Sequence, residues 1–142
     1  MTLALEQAQA AATRGEVPIG AVVVQDGRTV AATGNRTREL ADPTAHAEIL
    51  AIREACRALS SERLTGCDLY VTLEPCTMCA GAISFARLRR LYFGAVDDNG
   101  GAVTSGVRFF TRPTCHHVPE VYAGLGEVES AAMLKTFFGE RR

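Results

Sequence analysis

Lysine is almost absent from this sequence. Of its 15 basic residues 14 are arginine, and with 16 acidic residues the net charge is −1. A balance so near zero excludes a chain that holds nucleic acid or an anionic membrane through its overall field, and leaves any such contact to local arginines. Long apolar runs are also missing. The longest, such as Ile19 to Val24, is six residues with its glycine counted, against the roughly 20 that a membrane-spanning helix needs. The opening, MTLALEQAQAAATRG, has neither the basic start nor the apolar stretch of a secretory leader, so a cytoplasmic protein is expected. Repeats, low-complexity tracts and linkers are lacking too. The 142 residues, 47% apolar and 22% charged, fit one domain over 1–142 with a core of its own. Histidine is scarce, at three residues, two of them adjacent at His116 and His117. Cysteine is not scarce. Five thiols, an odd number in a reducing compartment, favour metal binding or catalysis over disulfides.

The pattern along the chain alternates. Leu3 to Thr13, rich in alanine and glutamine, predicts a helix closed by Gly15. VPIGAVVVQDGRTVAATG predicts a hairpin turning at Asp26-Gly27. Thr44 fits an N-cap for a helix over Ala45 to Leu59, whose apolar residues Ile49, Ile52, Cys56 and Leu59 recur at spacings of three and four. DLYVTL and RRLYFGAV predict strands, and Pro75 fits the first position of a helix running from Cys76 to about Phe85. HHVPEVYAG carries a weak strand signal, demoted by Pro119, and Glu127 to Phe138 predicts a last helix. Strands alternating with helices imply an α/β fold with part of its sheet parallel.

The chemistry concentrates in LEPCTMCAGA. Cys76 and Cys79, three apart at a helix start, share one face, where unpaired N–H groups and the helix dipole favour thiolates. Alone, the pair fits a redox couple, half of a structural zinc site, or two small buried residues. DPTAHAEIL adds His46 at another helix start. One imidazole and two thiolates make three ligands without an obvious fourth, the count of a catalytic zinc site with a position open to water. Glu48, two residues past His46, fits either a solvated acid favoured by the helix dipole or a carboxylate that takes the proton of that water.

The combination H-x-E…P-C-x-x-C resembles the signature of the zinc nucleobase deaminases. The stretches EVPIGAVVV, GNRTRELADPTAHAEILAIR, LYVTLEPCTMCAGAISFARLRRLYFGA and FFGERR together resemble bacterial tRNA-specific adenosine deaminases of the TadA type, from Glu16 to Arg142. The resemblance implies a three-layer α/β/α sandwich around a five-stranded mixed sheet, the cytidine-deaminase-like fold. It implies one Zn2+ per chain on His46, Cys76 and Cys79, with Glu48 as general acid/base. It implies that Asn35 hydrogen-bonds the target nucleoside and that Asp97 lies near the target nucleotide. It implies hydrolytic deamination to inosine of the wobble adenosine, position 34, in a looped-out tRNA anticodon, by a homodimer with its RNA site near the subunit interface.

Two features depart from the pattern. GVRFFTRPTCHHVPEVYAG is not strongly matched, and it holds Cys115, His116 and His117. Adjacent histidines seldom chelate one ion well, so loop packing or a nucleotide contact is expected there rather than a second metal. The small net charge leaves RNA contacts to Arg36, Arg38, Arg141 and Arg142, with Phe137 and Phe138 nearby and at least one of that pair in the core. Two other functions stay open on the same motif: a deaminase of free bases or nucleosides of the guanine or cytosine type, and a non-catalytic zinc-stabilised binding module.

Overall fold

Asp26 and Gly27 both adopt positive φ, +50° and +76°, as a two-residue hairpin turn requires. They join β1 (Gly20–Gln25) to β2 (Arg28–Gly34). The computed structural model describes residues 1–140, so Arg141 and Arg142 lie outside the described residues. Around the hairpin the chain forms α1 (Thr2–Thr13), α2 (Ala47–Leu59), β3 (Cys67–Leu73), α3 (Thr77–Ala86), β4 (Arg90–Ala95), β5 (Glu120–Tyr122) and α4 (Glu127–Glu140). A short 3-10 turn at Phe109–Thr111, which no sequence signal announced, precedes β5.

The sheet order is β2-β1-β3-β4-β5. β1 runs antiparallel to both β2 and β3, while β4 is parallel to β3 and β5. Register places Ala21 beside Val71 and Val71 beside Phe93, and likewise Val23, Leu69 and Leu91. All six are buried, and they pack with Ala47, Ala51 and Ala55 of α2 and Ile83 of α3. Burying a side chain the size of Leu or Phe contributes about 1.5–3 kcal/mol. The other face is covered by α1 and α4. α1 presents Ala4, Ala8 and Ala11, all fully buried and spaced four and three apart. The stripe must be small because α1 lies directly on β1: a Cβ on Gly20 would stand 1.9 Å from the Ala4 carbonyl oxygen. Two helices on each face of a five-stranded mixed sheet make the three-layer α/β/α sandwich that the sequence led us to expect.

Tyr70, Tyr92 and Tyr122 occupy one register line across β3, β4 and β5. Their rings stack with centroids 4.5 and 5.0 Å apart.

Candidate metal centre and active site

Two helix starts differ from expectation in a way that builds the site. α2 begins at Ala47 with His46 as its N-cap, and α3 begins at Thr77 with Cys76 as its N-cap. Thr44 is not the cap, because Asp42 Oδ1 takes both its N–H and its hydroxyl, at 2.8 and 2.7 Å. Pro75 likewise stands one residue before the N-cap instead of inside the helix. Both caps have extended backbones, and neither side chain bonds back to its own helix. An N-cap side chain normally satisfies a first-turn N–H. Here both are turned toward each other instead.

His46 Nδ1 lies 3.6 Å from Cys76 Sγ and 3.6 Å from Cys79 Sγ, and the three ligand atoms all fall within 4.8 Å of one another. A tetrahedral zinc with ordinary Zn–S and Zn–N bonds sets such N···S edges at about 3.6 Å. Among the described residues this is the one such group of three or more His, Cys, Asp or Glu ligands. The hydrogen bond from Cys79, joined by that of His46, brings Cys76 down to about 4 despite burial. Cys79, bonded to that thiolate, is pushed up. The bond to Cys76 raises His46. A divalent ion held by His46, Cys76 and Cys79 would suit both sulfurs as thiolates.

Glu48, in the first turn of α2, is 4% exposed, and burial pushes its carboxyl up. It contacts the Cys79 thiol, and its Oε1 is buried without a hydrogen-bond partner. An orphaned carboxylate oxygen beside three convergent ligands fits a group that receives a proton from a ligand of the site.

Asn35 follows β2 and is 4% exposed. The next residue ties it to the centre, since the Arg36 N–H donates to the Ala45 carbonyl just before His46. Asp97 follows β4, and its Oδ1 accepts from the N–H groups of Asn99 and Gly100. Arg36 pairs with Glu39, and Arg38 reaches the Gly15 carbonyl. Phe137 is buried, whereas Phe138 is half exposed. Cys115 contacts Ser84 Oγ and donates to the His117 carbonyl, and His117 Nε2 meets the Leu88 carbonyl at 2.7 Å. That segment is therefore packed onto the end of α3.

Two acids went unnoticed in the sequence. Glu16 is 2% exposed and receives hydrogen bonds from Asn35, Arg38 and Glu39. Glu74 is equally buried and takes bonds from the N–H groups of Asp97, Val103, Thr104 and Ser105 and from the Ser105 hydroxyl. These bonds outweigh burial and draw its carboxyl below the usual range. The available signal was a lone acid beside an otherwise apolar strand, just ahead of a proline.

The fold and site define a deaminase. A family model described as MafB19-like deaminase matches residues 1–142. The chain is 69% identical over 142 residues to a tRNA-specific adenosine deaminase of Agrobacterium fabrum (strain C58), spanning all of this chain and 93% of that protein. It is 44% identical to a tRNA-specific adenosine deaminase of Bacillus subtilis (strain 168), across all of this chain and 88% of that protein. A solved structure from work on A-to-I editing by tRNA:A34 deaminases at the wobble position superposes with a TM-score of 0.93 at 70% identity, covering 94% of this chain and 97% of that one. A guanine deaminase of Nitrosomonas europaea superposes at 0.85 with 25% identity, covering 97% and 82%. The chain belongs to the family of tRNA-specific adenosine deaminases.

Proposed function

We propose that this chain, as one domain over 1–142, hydrolyses the wobble adenosine at position 34 of a tRNA anticodon loop to inosine and ammonia. It does so as a cytoplasmic homodimer with one zinc per chain. The chemistry is carried by one observation: Glu48 is buried with Oε1 unpartnered beside the converging His46, Cys76 and Cys79. Zinc bound there would supply the Lewis acidity that makes a water nucleophilic near neutral pH. Glu48 takes a proton from the attacking water and passes it to the ring nitrogen, then takes the proton of the new C6 hydroxyl and gives it to the amine, which leaves as ammonia. Its burial keeps bulk water from that proton. Asn35 and Asp97, on loops after β2 and β4, hold the nucleoside and its surroundings.

The substrate assignment is supported by the full-length likeness of 69%, against 25% for the guanine deaminase. No helix among the described residues is long and apolar enough to cross a membrane. Dimer formation is supported by α3, where Met78 and Phe85 are exposed, the latter at 81%, beside a cleft of about 540 Å³. The test compares kcat/KM on an adenosine-34 stem-loop with that on adenosine, guanine and cytosine in one buffer. The stem-loop is expected to win by a wide margin, because its remote contacts position the reacting base. A free base or nucleoside that matched it would replace the tRNA reading.

A further inference from the structure

Glu16 lies in the turn between α1 and β1, and a carboxylate that is 2% exposed must be compensated by hydrogen bonds. The partners of its carboxylate come from one short stretch beyond β2. Oε1 accepts from the Arg38 N–H at 3.1 Å and from Asn35 Nδ2 at 3.4 Å, and Oε2 accepts from the Glu39 N–H at 2.8 Å. Asn35 Nδ2 also donates to Thr37 Oγ1, at 3.2 Å. The two ends of a side-chain amide differ in polarity, and a carboxylate accepts only the donor end. Turned round, Asn35 would set Oδ1 against Oε1 with no proton between them. Both Nδ2 hydrogens are therefore committed to the protein, and Oδ1 is the end left for a ligand.

We infer that Glu16 is a positioning residue: it locks the Asn35 amide in the one orientation that offers an acceptor, Oδ1, to the target nucleotide. This rests on the reading of Asn35 as a substrate contact. It follows that the substrate atom opposite Asn35 carries a proton. It also follows that the amide needs no reorientation when substrate arrives, which is the benefit of a preorganised contact.

A double-mutant cycle separates positioning from packing. kcat/KM on one anticodon stem-loop is measured for wild type, Glu16→Gln, Asn35→Ala and the two combined, with bound zinc and the unfolding midpoint recorded for each. In Glu16→Gln the new amide can donate where the carboxylate could only accept, so Asn35 can turn and show Nδ2 to the substrate. The expected loss is roughly 10- to 10²-fold, the range for a misplaced contact, and no further loss once Asn35 is alanine. A second arm uses Asn35→Asp. Alone it sets two carboxylates face to face and loses activity. Combined with Glu16→Gln, whose amide can donate to it, it regains part of that loss, which repacking does not predict. Equal factors in both backgrounds, or no recovery in the exchanged pair, would overturn the inference and leave the substrate reading standing. Wild-type kcat/KM in Asn35→Ala would remove the Asn35 contact and this inference with it. A wild-type chain that formed no inosine would instead overturn the proposed function.

Discussion

On the proposed reading Glu48 moves a proton and Cys76 holds the metal, so their substitutions should separate. Glu48→Gln preserves size and all three ligands, so zinc content and fold should hold while turnover falls by at least ~10²-fold, the scale of a lost general acid/base. Steady-state kinetics beside elemental analysis checks this, and near-normal turnover would remove Glu48 from the proton path. Cys76→Ala should lose metal and activity together and lower the unfolding temperature, because binding and folding are linked. Elemental analysis of the wild type should give about one zinc per chain. Two would mean that Cys115, His116 and His117 hold a second ion despite the contacts of Cys115 with Ser84 and of His117 with Leu88. Each half of the His46, Cys76 and Cys79 group was legible as a short motif at a helix start, and the halves, 30 and 33 residues apart, were joined by the ligand chemistry of scarce histidine and clustered thiols. Glu16 and Glu74 were not legible, since a buried acid is recognised by partners that lie 19 to 31 residues away.

At the scale of elements, the strands and helices were largely legible. Periodicity and the Asp26-Gly27 turn are short-range, and α1, β3 and α4 lie within two residues of expectation at each end. The helix starts were misplaced because capping is a competition. Asp42 claims Thr44, and the convergence of His46 with Cys76 claims the two true caps. The segment least legible was 97–105, which has no periodicity and is held by Glu74. Glu74→Gln should leave that segment short of acceptors and destabilise the protein by about 2 kcal/mol, the scale of hydrogen bonds to a buried charge. Hydrogen exchange should quicken at Val103, Thr104 and Ser105 before it does in β3. Gly101→Ala should act on the same segment from the other side. Its Cβ would stand 2.5 Å from both the Asp97 carbonyl oxygen and Glu74 Cδ, a clash worth about 1–3 kcal/mol in a packed site. Unchanged exchange in both variants would show that Glu74 does not hold the segment.

For the whole molecule, the proposed dimer surface and the proposed site share one helix, since α3 carries Cys79 on its buried side and Phe85 on its exposed side. Phe85→Glu should shift the particle mass measured by light scattering from dimer to monomer while zinc stays bound. A dimer that survived would place the interface elsewhere. The layer order was legible from strand–helix alternation, but the exposure of Phe85 was not, since Phe85 alone in a sequence is indistinguishable from a core residue. The tyrosine stack has a practical consequence of another kind. The chain has no tryptophan and three tyrosines, and all three are Tyr70, Tyr92 and Tyr122. Its near-ultraviolet dichroism and intrinsic fluorescence therefore come almost wholly from one column on the parallel side of the sheet. An optical melting curve will report the separation of β3, β4 and β5 and remain nearly blind to the hairpin and the His46, Cys76 and Cys79 cluster. Unfolding of this protein has to be followed with a second probe before one transition is taken for the whole.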